Sequence, residues 1–160
     1  MIHYGDLVEE IHPFLDTPNI LVHGTNCLGY MNSGIAKQIR DTYPGVFDVY
    51  KDQQKHVGLV LGEISVFNQG TLYVVNANTQ QYCRGYVHPY GTMEQYDKVF
   101  VDYDAVRECF EYVRGLAKKH GAVVHYPKIG AGLANGDWDI IQEIINDVLH
   151  DVEHHLWIKE

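Results

Sequence analysis

The sequence lacks the features that mark several other classes of protein. No apolar run approaches the roughly 18 residues that a membrane-spanning helix needs, so no membrane association is expected. The chain has no linker, internal repeat or low-complexity segment, which argues against a disordered tail. It carries 12 Lys+Arg against 21 Asp+Glu and so lacks the positive charge that a phosphate backbone attracts. Generic binding to nucleic acid is therefore not expected.

Cysteine is also scarce. The three cysteines, Cys27, Cys83 and Cys109, are odd in number and show no metal-ligand spacing. The histidines are scattered apart from the adjacent pair His154 and His155. This pattern favours a reduced, cytoplasmic setting and gives no basis for a zinc site or another metal. We also expect no signal peptide, because the first ten residues contain no apolar stretch.

The composition that remains is that of one globular domain. The 160 residues are 46% hydrophobic and 21% charged, so we expect a single domain over residues 1–160. Short β-rich runs alternate with helical runs, which predicts an α/β sandwich with a mostly parallel central sheet. The predicted strands are residues 20–23, 64–67, 72–75, 122–126 and 156–158, with a hairpin turn at 68–70.

Helix signals separate these strands. Ser33 is a plausible N-cap for a helix that ends before Pro44. Residues 102–120 carry apolar residues at helical spacing, and Gly121 is a stop signal. A further helix begins near Asp137, with an apolar stripe that extends to residue 152. Residues 88–96 contain glycine, proline and tyrosine and predict an exposed loop.

Two strand-to-helix junctions stand out as candidate binding loops. Residues 22–40 run from a buried strand through Gly24, Asn26, Gly29 and Asn32 to a helix that opens at Ser33-Gly34. Residues 126–141 run from a second strand through Gly130, Gly132 and Gly136 to a helix at Asp137. Ligands of open α/β sheets bind beyond the carboxyl ends of strands. Glycines allow close backbone approach, and helix N-terminal amides favour an anion. A phosphate-containing ligand fits both loops, although neither matches a Walker or dinucleotide-binding motif.

In order and separation, these segments resemble the macro domain family. The matching segments are Gly5-Asp6-Leu7, residues 22–36, residues 76–80, residues 103–106 and residues 127–133. The sequence segment VHGTNC…SGIAKQIRDTYP resembles the corresponding segment of the subgroup of yeast-type ADP-ribose 1''-phosphate phosphatases and their bacterial and phage relatives. The resemblance implies a three-layer α/β/α sandwich with a mixed sheet, which holds an ADP-ribose pocket without a cofactor.

The resemblance also implies roles for individual residues. Asp6 would accept a hydrogen bond from the adenine amino group, the amide of Leu7 would meet the ring, and Asn26 would bind the distal ribose. Residues expected near the diphosphate and the pocket mouth are, in the first loop, Gly29, Asn32, Ser33, Gly34 and Ile35, in the second loop Ile129, Gly130, Ala131, Gly132, Leu133 and Ala134, and between them Thr79 and Gln80.

The sequence departs from other family subgroups at two places. A subgroup that removes ADP-ribose from glutamate or DNA carries a lysine where this chain has Gln80, and glutamine cannot form a Schiff base. The same subgroup places an aspartate where this chain has Ala134, and Asp137 follows three residues later. A covalent lysine mechanism is therefore not expected.

Five residues have two possible interpretations. Asp6 either accepts from adenine or simply belongs to a turn, and Asn26 either binds ribose or caps a turn. His23 is either a core histidine or a proton donor near the distal ribose. Asp137 is either the N-cap of the last helix or a carboxylate that activates water. Arg84 either pairs with a terminal phosphate or is a solvated surface charge.

The resemblance predicts an enzyme that removes the terminal phosphate of ADP-ribose 1''-phosphate, with Asn26, His23 and Asp137 as candidate catalytic residues. The alternatives are a hydrolase that removes ADP-ribose from protein or nucleic acid, a reader that only binds ADP-ribose, and a module for another nucleotide. The sequence indicates no oligomeric state.

Overall fold

The computed structural model describes residues 1–11, 16–83, 99–132 and 134–159. Its strands are β1 (Ile2–Tyr4), β2 (Asn19–Asn26), β3 (Ile64–Gln69), β4 (Leu72–Gln80), β5 (Val123–Tyr126) and β6 (His154–Ile158). Its helices are α1 (Leu7–Glu10), α2 (Gly34–Thr42), α3 (Pro44–His56), α4 (Tyr103–His120) and α5 (Trp138–Val148). The predicted loop at residues 88–96, together with Arg84 and Leu133, lies outside the described residues.

One six-stranded sheet organises the fold, with strand order β1-β6-β5-β2-β4-β3. The edge strand β3 is antiparallel to β4, whereas every other neighbouring pair is parallel. The predicted hairpin forms between Gln69 and Leu72, and Gly70 takes the positive φ of 62° that the tight turn requires. The prediction of an α/β fold with a mixed, mostly parallel sheet is confirmed.

Alternate residues of the central strand pack into different cores, one on each face of the sheet. Ile20 and Val22 of β2 face α4 and α5, whose buried residues include Phe110 and Ile145. Leu21 faces the other way, into a core built with residues of α1, α2 and α3. Because successive side chains of a β-strand point to opposite faces, residues on both faces of β2 are buried, and its centre, Ile20 to Val22, is apolar. The two cores give the three layers that were expected.

Most helix boundaries match the sequence signals. Asp102 caps α4 by accepting the amide of Ala105 at 2.9 Å, and the helix ends at the left-handed Gly121. α2 begins directly after Ser33, whose side chain makes no capping hydrogen bond. The extension of α5 to residue 152 was wrong, since this helix ends at Val148. β1, α1 and α3 were not predicted.

No helix in the described part of the chain combines the length and apolar character that crossing a bilayer requires. Across the same residues, no group of three or more histidine, cysteine, aspartate or glutamate side chains is arranged to hold a metal ion.

Candidate functional site

The turns that follow β2 and β5 meet at the carboxyl edge of the sheet, because these two strands are neighbours. Together they enclose a cavity of about 480 Å³, which we call the turn cavity. The first turn and the start of α2 contribute residues 24–26 and 30–36, the second turn contributes residues 127–130, 132 and 134, and Gln80 and Cys83 complete the lining. The two loops singled out in the sequence therefore face one space.

A second cavity of about 640 Å³ adjoins the first, and we call it the Asp6 cavity. Its lining comes from three regions, namely Gly5, Asp6, Leu7 and Glu9 around α1, Gln38 of α2, and residues 157–159 at the end of β6. Gly34, Ile35, Pro127 and Lys128 line both cavities. The two cavities are thus parts of one cleft along the carboxyl edge of the sheet.

The shared middle of the cleft is suited to an anion. Gly34 and Ile35 are the first residues of α2, and Ala36 follows them in the lining of the turn cavity. Their amides have no acceptor within the helix, and no acidic residue occupies the first turn. Lys128 is exposed and lines both cavities, which adds a positive charge at the same place. Helix amides and an ammonium group together favour a phosphate or diphosphate.

Asp6 is the carboxylate at one end of the cleft, and it already has several donors. Its Oδ1 accepts from the amide of Glu9 at 3.2 Å, Gln38 Nε2 lies 2.9 Å from both oxygens, and Lys159 Nζ lies 3.1 Å from Oδ2. Partial burial pushes the pKa of Asp6 upward, but the hydrogen bonds from Gln38, Lys159 and the Glu9 amide outweigh it and lower the pKa. Asp6 is therefore ionised at neutral pH, and it also caps α1.

Asn26, in the turn cavity, organises the first turn from within. Its Oδ1 accepts from the amides of Leu28, Gly29 and Tyr30 at 3.0, 3.2 and 3.3 Å. Its Nδ2 donates to the carbonyl of Tyr30 at 3.0 Å. Tyr50 of α3 supports this arrangement from behind, because its hydroxyl donates to the Asn26 carbonyl at 2.5 Å and accepts from the Gly29 amide at 3.1 Å. Asn26 therefore has a structural role, whatever it binds.

The structure places His23 in the core rather than in the cleft. This side chain is fully buried, points into the core on the α3 side and lines neither cavity. Nε2 lies 2.6 Å from Asn76 Oδ1, and Asn76 Nδ2 donates to the Val46 carbonyl and to Ser65, so the imidazole is the donor. Burial lowers the pKa of His23 to about 4, which keeps it neutral. This geometry favours a core histidine, because the His23 side chain of β2 points away from the cleft.

Asp137 also lies outside the lining of the cleft. Asp137 is exposed and is absent from the lining of both cavities. It is the N-cap of α5, where Oδ1 accepts from the amide of Asp139 at 2.9 Å. The N-cap reading of Asp137 is therefore the one that the geometry supports.

The other predicted ligand residues divide into two groups. Those that line the cleft are Asp6, Leu7, Asn26, Asn32, Ser33, Gly34, Ile35, Gln80, Ile129, Gly130, Gly132 and Ala134. Gly29, Thr79 and Ala131 are not in the lining. Gly29 is buried behind the first turn, where an added Cβ would lie 2.6 Å from Gln54 Oε1. Thr79 is fully buried beneath Gly24.

Sequence reasoning missed several residues that shape the cleft. Gln38 and Lys159 reach Asp6 from α2 and from the segment after β6, and Tyr50 supports the first turn from α3. Lys128 was visible in the second loop but received no role. Only Lys128 carried a usable signal, namely a cation beside a glycine-containing turn. The other three come from elements distant in sequence and could not be placed without the fold.

The chain is similar to proteins of one known family. The Macro domain family model matches residues 22–145 of the chain. An uncharacterised 17.5 kDa protein of Enterobacteria phage T4 is 28% identical over 144 residues, which cover 89% of this chain and 84% of the phage protein. A DNA ADP-ribosyl glycohydrolase of Mycobacterium tuberculosis is 24% identical over 127 residues, which cover 77% of this chain but only 32% of the mycobacterial protein.

A solved structure, Thermosipho africanus DarTG in complex with ADP-ribose, superposes with a TM-score of 0.70 at 15% identity. The superposition covers 88% of this chain and 38% of the DarTG chain, so it shows a shared fold. The family match covers most of the sequence, including both turns of the cleft. The chain therefore belongs to the macro domain family.

Proposed function

We propose that the chain binds ADP-ribose along the cleft and hydrolyses the terminal phosphate of ADP-ribose 1''-phosphate. The observation that carries this proposal is the meeting of both turns and the α2 N-terminus in one cavity that adjoins Asp6. An adenine amine would face the Asp6 carboxylate, the diphosphate would lie against Gly34, Ile35 and Lys128, and the distal ribose would enter the turn cavity. Thermosipho africanus DarTG, which shares this fold, has been solved in complex with ADP-ribose, and this supports ADP-ribose as the ligand.

The reacting end of the ligand would lie among amide groups and one cation. Gln80 and Asn26 line the turn cavity, and Lys128 lines it from the second turn. Preorganised donors and a positive charge stabilise a departing phosphate, so positioning and electrostatics would supply most of the rate. Water adds its hydroxyl and proton across the ester bond, which yields ADP-ribose and inorganic phosphate. Burial raises the pKa of Cys83, which favours the protonated thiol over the thiolate that a nucleophilic role needs.

The test is calorimetry with ADP-ribose, followed by measurement of phosphate released from ADP-ribose 1''-phosphate. Micromolar binding with phosphate release supports the proposal. Binding without turnover of any ADP-ribose ester would make the chain a reader of ADP-ribose. Absence of binding at millimolar ADP-ribose would refute the proposed function as a whole.

A second candidate activity is removal of ADP-ribose from DNA or protein. The likeness to the mycobacterial DNA ADP-ribosyl glycohydrolase favours it, although this chain spans about a third of that protein. Tyr30 lines the turn cavity and is 48% exposed, so its ring is available to stack on a nucleobase attached to the distal ribose. Gel assays on ADP-ribosylated DNA and protein, run beside the phosphate assay, separate the two activities.

A further inference from the structure

Gln38 of α2 is fixed in one orientation by Asp6. Its Nε2 lies 2.9 Å from both carboxylate oxygens. An ionised carboxylate only accepts hydrogen bonds, so the amide must turn its NH₂ group toward Asp6 and its carbonyl oxygen away. Asp6 and Gln38 line the same cavity, where they present an acceptor beside a donor of fixed direction.

The acceptor capacity of Asp6 is full before any ligand arrives. A carboxylate has about four acceptor sites, and the Glu9 amide, Lys159 and the shared contact of Gln38 occupy them. An adenine amine must therefore displace one donor. The Lys159 side chain is 70% exposed, whereas the Asp6 side chain is 13% exposed, so the ammonium group can leave Asp6 for solvent with little change in its own hydration. Gln38 is half-buried and contacts both oxygens. Lys159 is thus the donor that leaves most easily.

With Lys159 displaced, Asp6 and Gln38 match one edge of adenine. The carboxylate accepts from the exocyclic amine, and the second hydrogen of the Gln38 NH₂ group donates to a neighbouring ring nitrogen. Hypoxanthine reverses this pattern, because it places an oxygen opposite the carboxylate and a ring N–H opposite the Gln38 donor. From this match, which rests on the proposed function, we infer that Gln38 is a specificity-determining residue that selects adenine over 6-oxopurines.

The test compares the dissociation constants of ADP-ribose and inosine diphosphate ribose by calorimetry, in the full chain and three variants. In Gln38→Leu, the affinity for ADP-ribose falls about tenfold, the value of one hydrogen bond, and the affinity for inosine diphosphate ribose stays within about twofold. In Lys159→Ala, the affinity for ADP-ribose rises about two- to fivefold, because the competing exposed ion pair is gone. Lys37→Leu, on the adjacent exposed position of α2, is the matched control and changes neither affinity.

The outcomes separate the inference from the proposed function. Equal weakening of both ligands in Gln38→Leu, or no change in either, overturns the role of Gln38 while ADP-ribose binding stands. Gln38→Ala repeats the measurement with a smaller side chain, and agreement between the two variants excludes a steric effect of leucine. An unchanged or lower affinity in Lys159→Ala overturns the displacement step. A wild-type chain that binds neither ligand removes the proposed function itself.

Discussion

The buried histidine His23 makes stability depend on pH in a way that separates its structural role from a catalytic one. Its unfolded pKa is 6.5 and burial lowers its folded pKa to about 4. Below pH 6.5, His23 binds a proton in the unfolded chain but not in the folded chain, so stability is lost as the pH falls from 6.5 toward 4. Within this window, each fall of one pH unit lowers the free energy of unfolding by about 1.4 kcal/mol. A fall from pH 6.5 to pH 5 lowers it by about 2 kcal/mol through His23 alone.

The variant His23→Gln removes this titration and keeps a donor for Asn76. We expect the free energy of unfolding, measured in urea at pH 6.5 and pH 5, to fall by about 2 kcal/mol less in His23→Gln than in the natural chain. Burial also lowers the pKa of His125, to about 3, but that contribution is present in both proteins and cancels. His56→Gln, at an exposed position of α3, is the matched control for replacing a histidine outside the core.

The same variant tests the cleft. Because His23 lines neither cavity, His23→Gln should bind ADP-ribose with the natural affinity, within about twofold, at pH 7.5. An identical pH dependence in the natural chain and the variant would refute the burial argument. If His23→Gln lost phosphate release but kept its stability, a catalytic role for His23 would be supported.

Three further tests use substitutions in other parts of the structure. Tyr50→Phe removes the hydroxyl that supports the first turn, and we expect about 1–3 kcal/mol lower unfolding free energy and weaker ADP-ribose binding by calorimetry. Asp137→Ala removes a helix cap at a cost of about 1 kcal/mol in urea denaturation, and unchanged phosphate release would confirm that Asp137 is not catalytic. Gly130→Ala places a Cβ 2.6 Å from Val101 Cγ2 at a φ of 76° and should lower the unfolding midpoint, whereas Gly132→Ala, with open space around it, should not. Equal midpoints for the two glycine variants would refute that reasoning.

The sequence predicted those helices and strands that carry a clear local signal, such as a capping residue, a regular apolar stripe or a glycine stop. α4 has a capping aspartate, a regular apolar stripe and a glycine stop, and its bounds agree with the sequence. α3 was missed because only Val46 and Tyr50 among its thirteen residues are buried, so its apolar stripe is thin. β1 spans three residues and has too short a pattern to be recognised. Length and periodicity, rather than propensity, decided which elements could be found.

The position of the cleft was predictable, but the direction of individual side chains was not. Both glycine-containing turns follow parallel strands, and the carboxyl ends of neighbouring parallel strands meet at one edge. His23 belongs to the same strand and stands three residues before Asn26, yet it is turned into the core. Polar and apolar residues do not alternate along β2, because both of its faces are buried, so the pattern does not reveal which side chains face the ligand.

The buried polar side chains of β2 and β4 explain how the fold fixes this edge. Thr25 donates to Asn78 at 2.8 Å, His23 donates to Asn76, and Asn78 reaches Gln53 of α3 at 3.2 Å. These bonds lie between the apolar centre of the sheet and the first turn. A buried polar group without its partner costs about 1–3 kcal/mol, so a slip of β2 against β4 would break several bonds at once. The pairing of β2 with β4 is irregular only between Thr25 and Asn26, where the strand becomes the turn. The polar network therefore holds the register up to the residue that begins the binding loop, and the loop starts from a fixed position.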